Sequence, residues 1–348
     1  MLAGAPAAGL AAATGHVRLI PLVPVTIAVL VGGALVSSYR GDLEGEMFEG
    51  FETPLGHSSG ITRRALTGCL DCRPVVAWPG PHAAVPGKAV MASERRGTVL
   101  VTGVGRRRSI GAGLALGLAD DGWDLVLSYW APYDDRVGYA RGEHDTEDVA
   151  ADCRRRGSHV QVLAADLADA AAPAGLVGAA AAAGNLRGLV MSHCESVDSS
   201  ILDTTVESWD RHFAVNARAA WLLIKAFAER LPAETTTQVR GRIVALTSDA
   251  IAFNLPYGAS KGALDRIVVA AAAELGSRGI RANVINPGPI DTGWMTPEIR
   301  QMCLAETAAG RLGTPADTAD LVRFLMSDAG GWITGQVLHS NGGFRTPR

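Results

Sequence analysis

Tyr257 and Lys261 stand four residues apart in the run Leu255-Pro256-Tyr257-Gly258-Ala259-Ser260-Lys261. On a helix that spacing puts both side chains on one face. A free phenol titrates at about pH 10, too high to exchange protons at neutrality, whereas an adjacent ammonium favours the phenolate. The two groups together have the makings of a general acid/base. Lys88, Lys225 and Lys261 are the only lysines in a chain otherwise supplied with arginine, so the ammonium here is a chemical choice rather than a default cation. The alternative is an ordinary Tyr and Lys on a helix, because a Y-x-x-x-K match arises by chance in many sequences. The elements around the pair decide between these readings.

From Thr98 onward apolar runs alternate with helical segments. Strands are expected at 98–101, 125–128, 159–163, 189–192, 242–247, 281–285 and 336–338, and helices at 110–119, 145–156, 172–183, 208–230, 258–278 and 315–326. Continuously apolar strands, each followed by a helix, imply a parallel sheet covered on both faces. The expected fold is therefore α/β, a doubly wound parallel sheet of Rossmann type forming one domain over 94–348. Upstream of the Tyr–Lys pair lies the strand-to-helix turn Thr102-Gly103-Val104-Gly105-Arg106-Arg107-Arg108-Ser109-Ile110-Gly111. Small residues there let the backbone approach a pyrophosphate, which sits on the positive end of the following helix. Downstream, the sixth strand ends in Asn286-Pro287-Gly288-Pro289-Ile290-Asp291-Thr292.

With these features in this order, the chain from about Arg95 to Phe344 resembles the short-chain dehydrogenase/reductase family. The resemblance implies that Tyr257 exchanges the proton with a substrate oxygen, Lys261 lowers its pKa and holds the nicotinamide ribose, Ser248 orients the oxygen, and Asn216, in Phe213-Ala214-Val215-Asn216, supports a proton relay. It places Gly103, Ser109, Ile110 and Gly111 at the pyrophosphate and Asp166-Leu167 at the adenine. Pro287, Gly288, Ile290 and Thr292 fall toward the nicotinamide and pyrophosphate. Residues from Trp294 and Met295 to Gly313 would form a lid.

The sequence departs from the family pattern at several points. The glycine-rich loop is two residues longer than the common form, with Ser109 where the middle glycine normally falls, as in the divergent enoyl-reductase branch. Met191-Ser192-His193-Cys194 replaces the usual Asn-Asn-Ala-Gly, which gives His193 a packing role beside the cofactor; a metal or nucleophile reading of the His–Cys pair lacks the further ligands or oriented base it needs. Eight residues, 249–256, separate Ser248 from Tyr257, fewer than usual, and Thr247 is an alternative to Ser248.

Cofactor choice rests on the end of the second strand, where an acid would hydrogen-bond the adenosine ribose of NAD. Tyr129 and Trp130 stand there instead, and Arg106, Arg107 and Arg108 in the preceding loop suit a 2′-phosphate. The expectation is NADP(H) rather than NAD(H). Asp134 and Asp135, in the long stretch 131–144, are the counterweight, since they can fold back over the ribose.

The chain has 348 residues and a formal net charge of −3, and its arginine clusters are short and isolated, which argues against a nucleic-acid partner. Five cysteines, Cys69, Cys72, Cys153, Cys194 and Cys303, an odd number at irregular spacings, do not read as a secreted disulfide scaffold. A reducing, cytoplasmic setting is expected. Residues 1–93 lack amphipathic period and read as an N-terminal extension outside the enzyme, with Met91 placed like an initiator. Their apolar run 19–36 just reaches the length of a membrane span, weakened by Pro21 and Pro24. Cys69 and Cys72 lie too far from His57 and His82 for a compact zinc site, and no metal is assigned.

The function expected is hydride transfer between a nicotinamide and a carbonyl or alcohol, with 3-oxoacyl compounds among the substrates considered. An enoyl-reductase-like enzyme and a non-catalytic dinucleotide sensor are the alternatives. Family members pair their fourth and fifth helices across subunits, and the small residues Ala259, Gly262, Ala263 and Ala270 suit a homodimer or homotetramer.

Overall fold

The computed structural model describes residues 95–345, together with a two-strand antiparallel ribbon in which Val29–Val31 pairs with Ala34–Val36. The rest of the apolar run 19–36, the cysteine and histidine residues weighed for zinc, and Met91 lie outside the described residues. Among the described residues no helix is long and apolar enough to cross a membrane.

Seven parallel strands make the sheet: β1 (Thr98–Thr102), β2 (Asp124–Tyr129), β3 (Val160–Ala164), β4 (Leu186–Met191), β5 (Gly241–Leu246), β6 (Ile280–Asn286) and β7 (Val337–His339). Their order is β3-β2-β1-β4-β5-β6-β7. The chain winds outward from β1 to β3, then crosses back to place β4 on the other side of β1. That reversal leaves a crevice beyond the carboxyl ends of β1 and β4, where open sheets of this kind bind ligands. Thr102 pairs in register with both Ser128 and Met191, so three strand ends reach the crevice at one level.

The helices are α1 (Ile110–Asp120), α2 (Ala131–Val137), α3 (Asp145–Arg155), α4 (Ala172–Ala183), α5 (Val206–His212), α6 (Ala219–Glu229), α7 (Leu255–Leu275), α8 (Pro297–Glu306) and α9 (Pro315–Met326). Strand residues alternate between two cores, as a period of two requires. Leu100, Val126 and Leu189 pack with Phe227 of α6 and Leu264 of α7, whereas Val99, Val101 and Leu127 pack with Leu118 of α1 and Val322 of α9. Each fully buried side chain of this kind contributes about 1.5–3 kcal/mol, which is why β1 and β5 are buried along their whole length.

The doubly wound sheet expected from the alternation is present, and the differences are local. The expected helix 208–230 is α5 and α6 joined by a π turn, Phe213–Arg218, around Asn216. α7 begins at Leu255, so Tyr257 lies in its first turn. α2 and α8 were not anticipated; α2 spans seven residues, opens on a proline in its first turn and stops at the left-handed Gly138, too short to show helical period.

Candidate active site

A cavity of 190 Å³ occupies the crevice, and Tyr257 and Lys261 both border it. Pro256 starts α7 with its fixed backbone angle, and Gly258 lets the short β5–α7 connection close onto the helix: a Cβ there would lie 2.2 Å from the Ala250 carbonyl oxygen. Closing the connection leaves Phe253 in the left-handed region at φ 61°, a costly conformation for a bulky residue.

Lys261 is buried and donates to the Leu246 carbonyl at 2.8 Å, at the end of β5. Its Nζ lies 5.8 Å from the centre of the Tyr257 ring. Burial pushes the ammonium below its usual pKa, with Cys194 and Asp265 opposing. Burial also raises the Tyr257 phenol above its ordinary value, Cys194 adds to this, and interaction with the Ser248 hydroxyl works against it. Burial of both groups therefore acts on the phenol in the direction opposite to the one the four-residue spacing suggests. Ser248 is half-buried, its Oγ accepts from the Ala250 amide at 3.2 Å, and it does not itself border the cavity; Thr247 does, and its buried hydroxyl has no hydrogen-bond partner among the described residues.

Asn216 is 1 % exposed. Its Nδ2 donates to the Glu195 carbonyl at 2.8 Å and to Ser260 Oγ at 2.9 Å, and its Oδ1 accepts from the Glu195 amide at 2.7 Å. It ties the segment after β4 to the turn of α7 that carries Lys261, and does not itself border the cavity. His193, in the altered stretch, bridges Thr102 Oγ1 at 2.6 Å and the Val215 carbonyl at 3.1 Å. A carbonyl can only accept, so Nε2 carries the proton and Nδ1 accepts from the Thr102 hydroxyl. Burial and then the Lys261 charge lower its pKa to about 3. With both ring nitrogens engaged, His193 joins β1 to the π turn as a neutral imidazole. Cys194 borders the cavity, and burial raises its thiol pKa.

On the nucleotide side, Gly103 has φ 80°, and a Cβ on it would fall 2.6 Å from the backbone of Ser192 and His193. Only glycine permits this approach between the β1 and β4 ends. Ser109 caps α1, its Oγ accepting from the Ala112 amide at 3.1 Å, which explains a serine in place of the middle glycine. Ser109, Ile110, Tyr129, Trp130, Asp166 and Leu167 all border the cavity, as do Pro287 and Thr292. Gly111, Gly288 and Ile290 do not border it; Ile290 is 3 % exposed and bridges to Gly313. The glycine turn, the start of α1 at the cavity and the flat residues at the end of β2 fit a dinucleotide.

The arginine triplet divides. Arg106 borders the cavity, donates to the Thr292 carbonyl at 2.7 Å and pairs with Asp134 at 2.9 Å. Arg107 turns to Asp148 and Asp152 on α3, and Arg108 lies 3.8 Å from Asp291. Two residues not singled out from the sequence also shape the site. Arg211 of α5 makes a two-pronged pair with Asp166, both contacts at 3.1 Å, and Glu195, 2 % exposed, pairs with Arg211 and Arg136. Their partners lie far away in sequence, which leaves no local signal. Among the described residues no group of three His, Cys, Asp or Glu side chains is placed to hold a metal.

The family profile described as enoyl-(acyl carrier protein) reductase matches residues 103–345. An uncharacterized oxidoreductase of Bacillus subtilis, YjdA, is 32% identical over 73% of this chain and 99% of its own. The NADPH-dependent aldehyde reductase-like protein of Arabidopsis thaliana chloroplasts is 32% identical over 69% of this chain and 92% of its own. Among solved structures, a blue fluorescent protein from a metagenomic library, in complex with NADPH, superposes with a TM-score of 0.62 at 28% identity, covering 72% of this chain and 99% of that one.

Proposed function

The chain belongs to the short-chain dehydrogenase/reductase family and is an oxidoreductase with a nicotinamide cofactor, and from that premise we propose that it reduces a small carbonyl compound with NADPH. The observation that carries the reading is the pair Tyr257 and Lys261, which α7 brings together at the border of the cavity. A proton donor at the cavity suits delivery to a carbonyl oxygen as it becomes an alkoxide. When bound, the cofactor supplies the hydride. Ser248 orients the substrate oxygen, Tyr257 gives the proton, and Lys261 orients the phenol and carries positive charge toward the developing anion. Asn216 acts through position, holding the segment after β4 against α7.

NADPH is favoured over NADH because no acid stands at the end of β2 and Arg106 borders the nucleotide site. The relative named as an NADPH-dependent aldehyde reductase-like protein supports this choice and the carbonyl substrate, and the neighbour solved with NADPH supports the cofactor. The family profile's description and the lengthened glycine loop favour a second reading, reduction of an enoyl thioester. In this proposal the enzyme is formed by 94–348 and works as a homo-oligomer through the outer face of α7. Gly262 sits mid-helix with nothing within 4 Å of where a Cβ would be, so its own subunit gives no reason for a residue that costs a helix about 1 kcal/mol relative to Ala.

The test is a panel of aldehydes, ketones, a 3-oxoacyl thioester and an enoyl thioester, each offered with NADPH and with NADH. Turnover of a carbonyl with NADPH supports the proposal. Turnover confined to the enoyl thioester would move the assignment to the second reading.

A further inference from the structure

Residues 131–141, between β2 and α3, form a strap across the crevice, fastened to both walls. Arg136 of α2 forms an ion pair with Glu195, and the Tyr133 hydroxyl donates to the Ser196 carbonyl at 3.3 Å, which holds the strap to the segment after β4. After Gly138 the chain turns back, and the Tyr139 ring lies 4.6 Å from the Arg106 guanidinium. Asp134 pairs with Arg106 Nε at 2.9 Å, which holds the strap to the glycine-rich turn. Tyr133 and Asp134 both border the cavity.

Asp134 has an unusual seat. It is 5 % exposed, and its Oδ2 lies 2.9 Å from the position a Cβ on Gly105 would take. In a nucleotide-binding turn, such a glycine leaves room for a phosphate to approach the backbone. Here a carboxylate oxygen uses that room, and its guanidinium partner is the one arginine of the triplet that borders the cavity. An anion on a glycine turn, neutralised by an arginine, is the contact set of a cofactor phosphate. The cavity that remains, 190 Å³, is below the roughly 300–1,000 Å³ of sites for ligands of this kind.

We propose that Asp134 is an intramolecular stand-in for a cofactor phosphate: the strap and NADPH compete for Arg106 and the glycine-rich turn, and the cofactor binds by displacing the carboxylate. This rests on the reading of the crevice as a dinucleotide site. The apparent affinity for NADPH is then the intrinsic affinity reduced by the fraction of molecules whose strap is released. Asp134 is thereby a determinant of cofactor affinity that lies outside the end of β2.

The experiment titrates the full chain, Asp134→Asn and Arg136→Gln with NADPH and NADH, following protein fluorescence, and measures hydrogen exchange of residues 131–141 with and without NADPH. Asp134→Asn keeps the side chain's shape and removes its charge; Arg136 is 46 % exposed, so its substitution loosens the other fastening in a fold that tolerates it. Both variants should bind NADPH at least about fivefold more tightly than the parent. Exchange in 131–141 should rise in the parent on adding NADPH and be high in both variants beforehand. Weaker binding by Asp134→Asn would make the carboxylate a ligand of the cofactor and overturn the proposal. Unchanged affinity and exchange in both variants would overturn it too. If the parent binds neither cofactor, the dinucleotide reading of the crevice fails, and this inference with it.

Discussion

His193 makes the site's stability depend on pH in a way that can be measured. Its imidazole is neutral between Thr102 and the Val215 carbonyl, and burial, with the Lys261 charge, lowers its pKa from 6.5 to about 3. A depressed folded-state pKa means that the unfolded chain binds the proton first as pH falls. The stabilisation is therefore fully present above the unfolded value of about 6.5 and is lost progressively between 6.5 and 3. With these two values the loss between pH 7 and pH 5 is at most about 2 kcal/mol, since each pH unit below the unfolded pKa costs about 1.4 kcal/mol. Replacing His193 by Gln removes the titration while keeping a donor and an acceptor. Urea unfolding of both proteins at pH 7 and pH 5 should show the parent losing about 2 kcal/mol more than His193→Gln. Equal losses would show that this imidazole is not held neutral between its two partners.

Arg106→Ala should weaken NADPH binding at least about tenfold, with much less effect on NADH, because one charged contact to a phosphate is worth about 1.5–3 kcal/mol. Arg107→Ala and Arg108→Ala should change either affinity little; titration of both cofactors decides, and equal losses for NADPH and NADH in Arg106→Ala would assign that residue to the pyrophosphate or the loop. Gly262→Arg should leave the fold intact and lower the mass seen by light scattering to that of one chain, whereas an unchanged mass would place the subunit contact elsewhere. A chain that starts at Met91 should bind NADPH and turn over substrate like the full one; lost activity in a folded truncated protein would make the extension part of the enzyme.

The chemistry of Tyr257 and Lys261 was legible because it needs only a four-residue spacing on one helix, and the sheet because each strand carries its own apolar run. The π turn around Asn216 was not legible, since the segment 208–230 reads as one continuous helix. What His193 does was not legible, since its partners Thr102 and Val215 come from another strand and another helix. The strap was hidden for a related reason: α2 is seven residues long, and its fastenings, Glu195, Ser196 and Arg106, are contributed by distant segments. Its acids, Asp134 and Asp135, read from the sequence as alternative ribose ligands. Only the fold separates them, putting Asp134 on the glycine turn and pairing the exposed Asp135 with Arg141. Spacing reports the lysine beside Tyr257 and not the burial of both groups, which acts on the phenol in the opposite direction.

Tyr257→Phe tests the central claim most directly. The phenyl ring keeps the packing of the first turn of α7 and removes only the proton-bearing oxygen. With the carbonyl substrate found by the panel, the variant should bind NADPH as the parent does and oxidise it at less than about a hundredth of the parent rate, the low end of what a positioned general acid contributes. A variant that binds NADPH and retains most of the parent rate would contradict the account, because the proton would then come from another group.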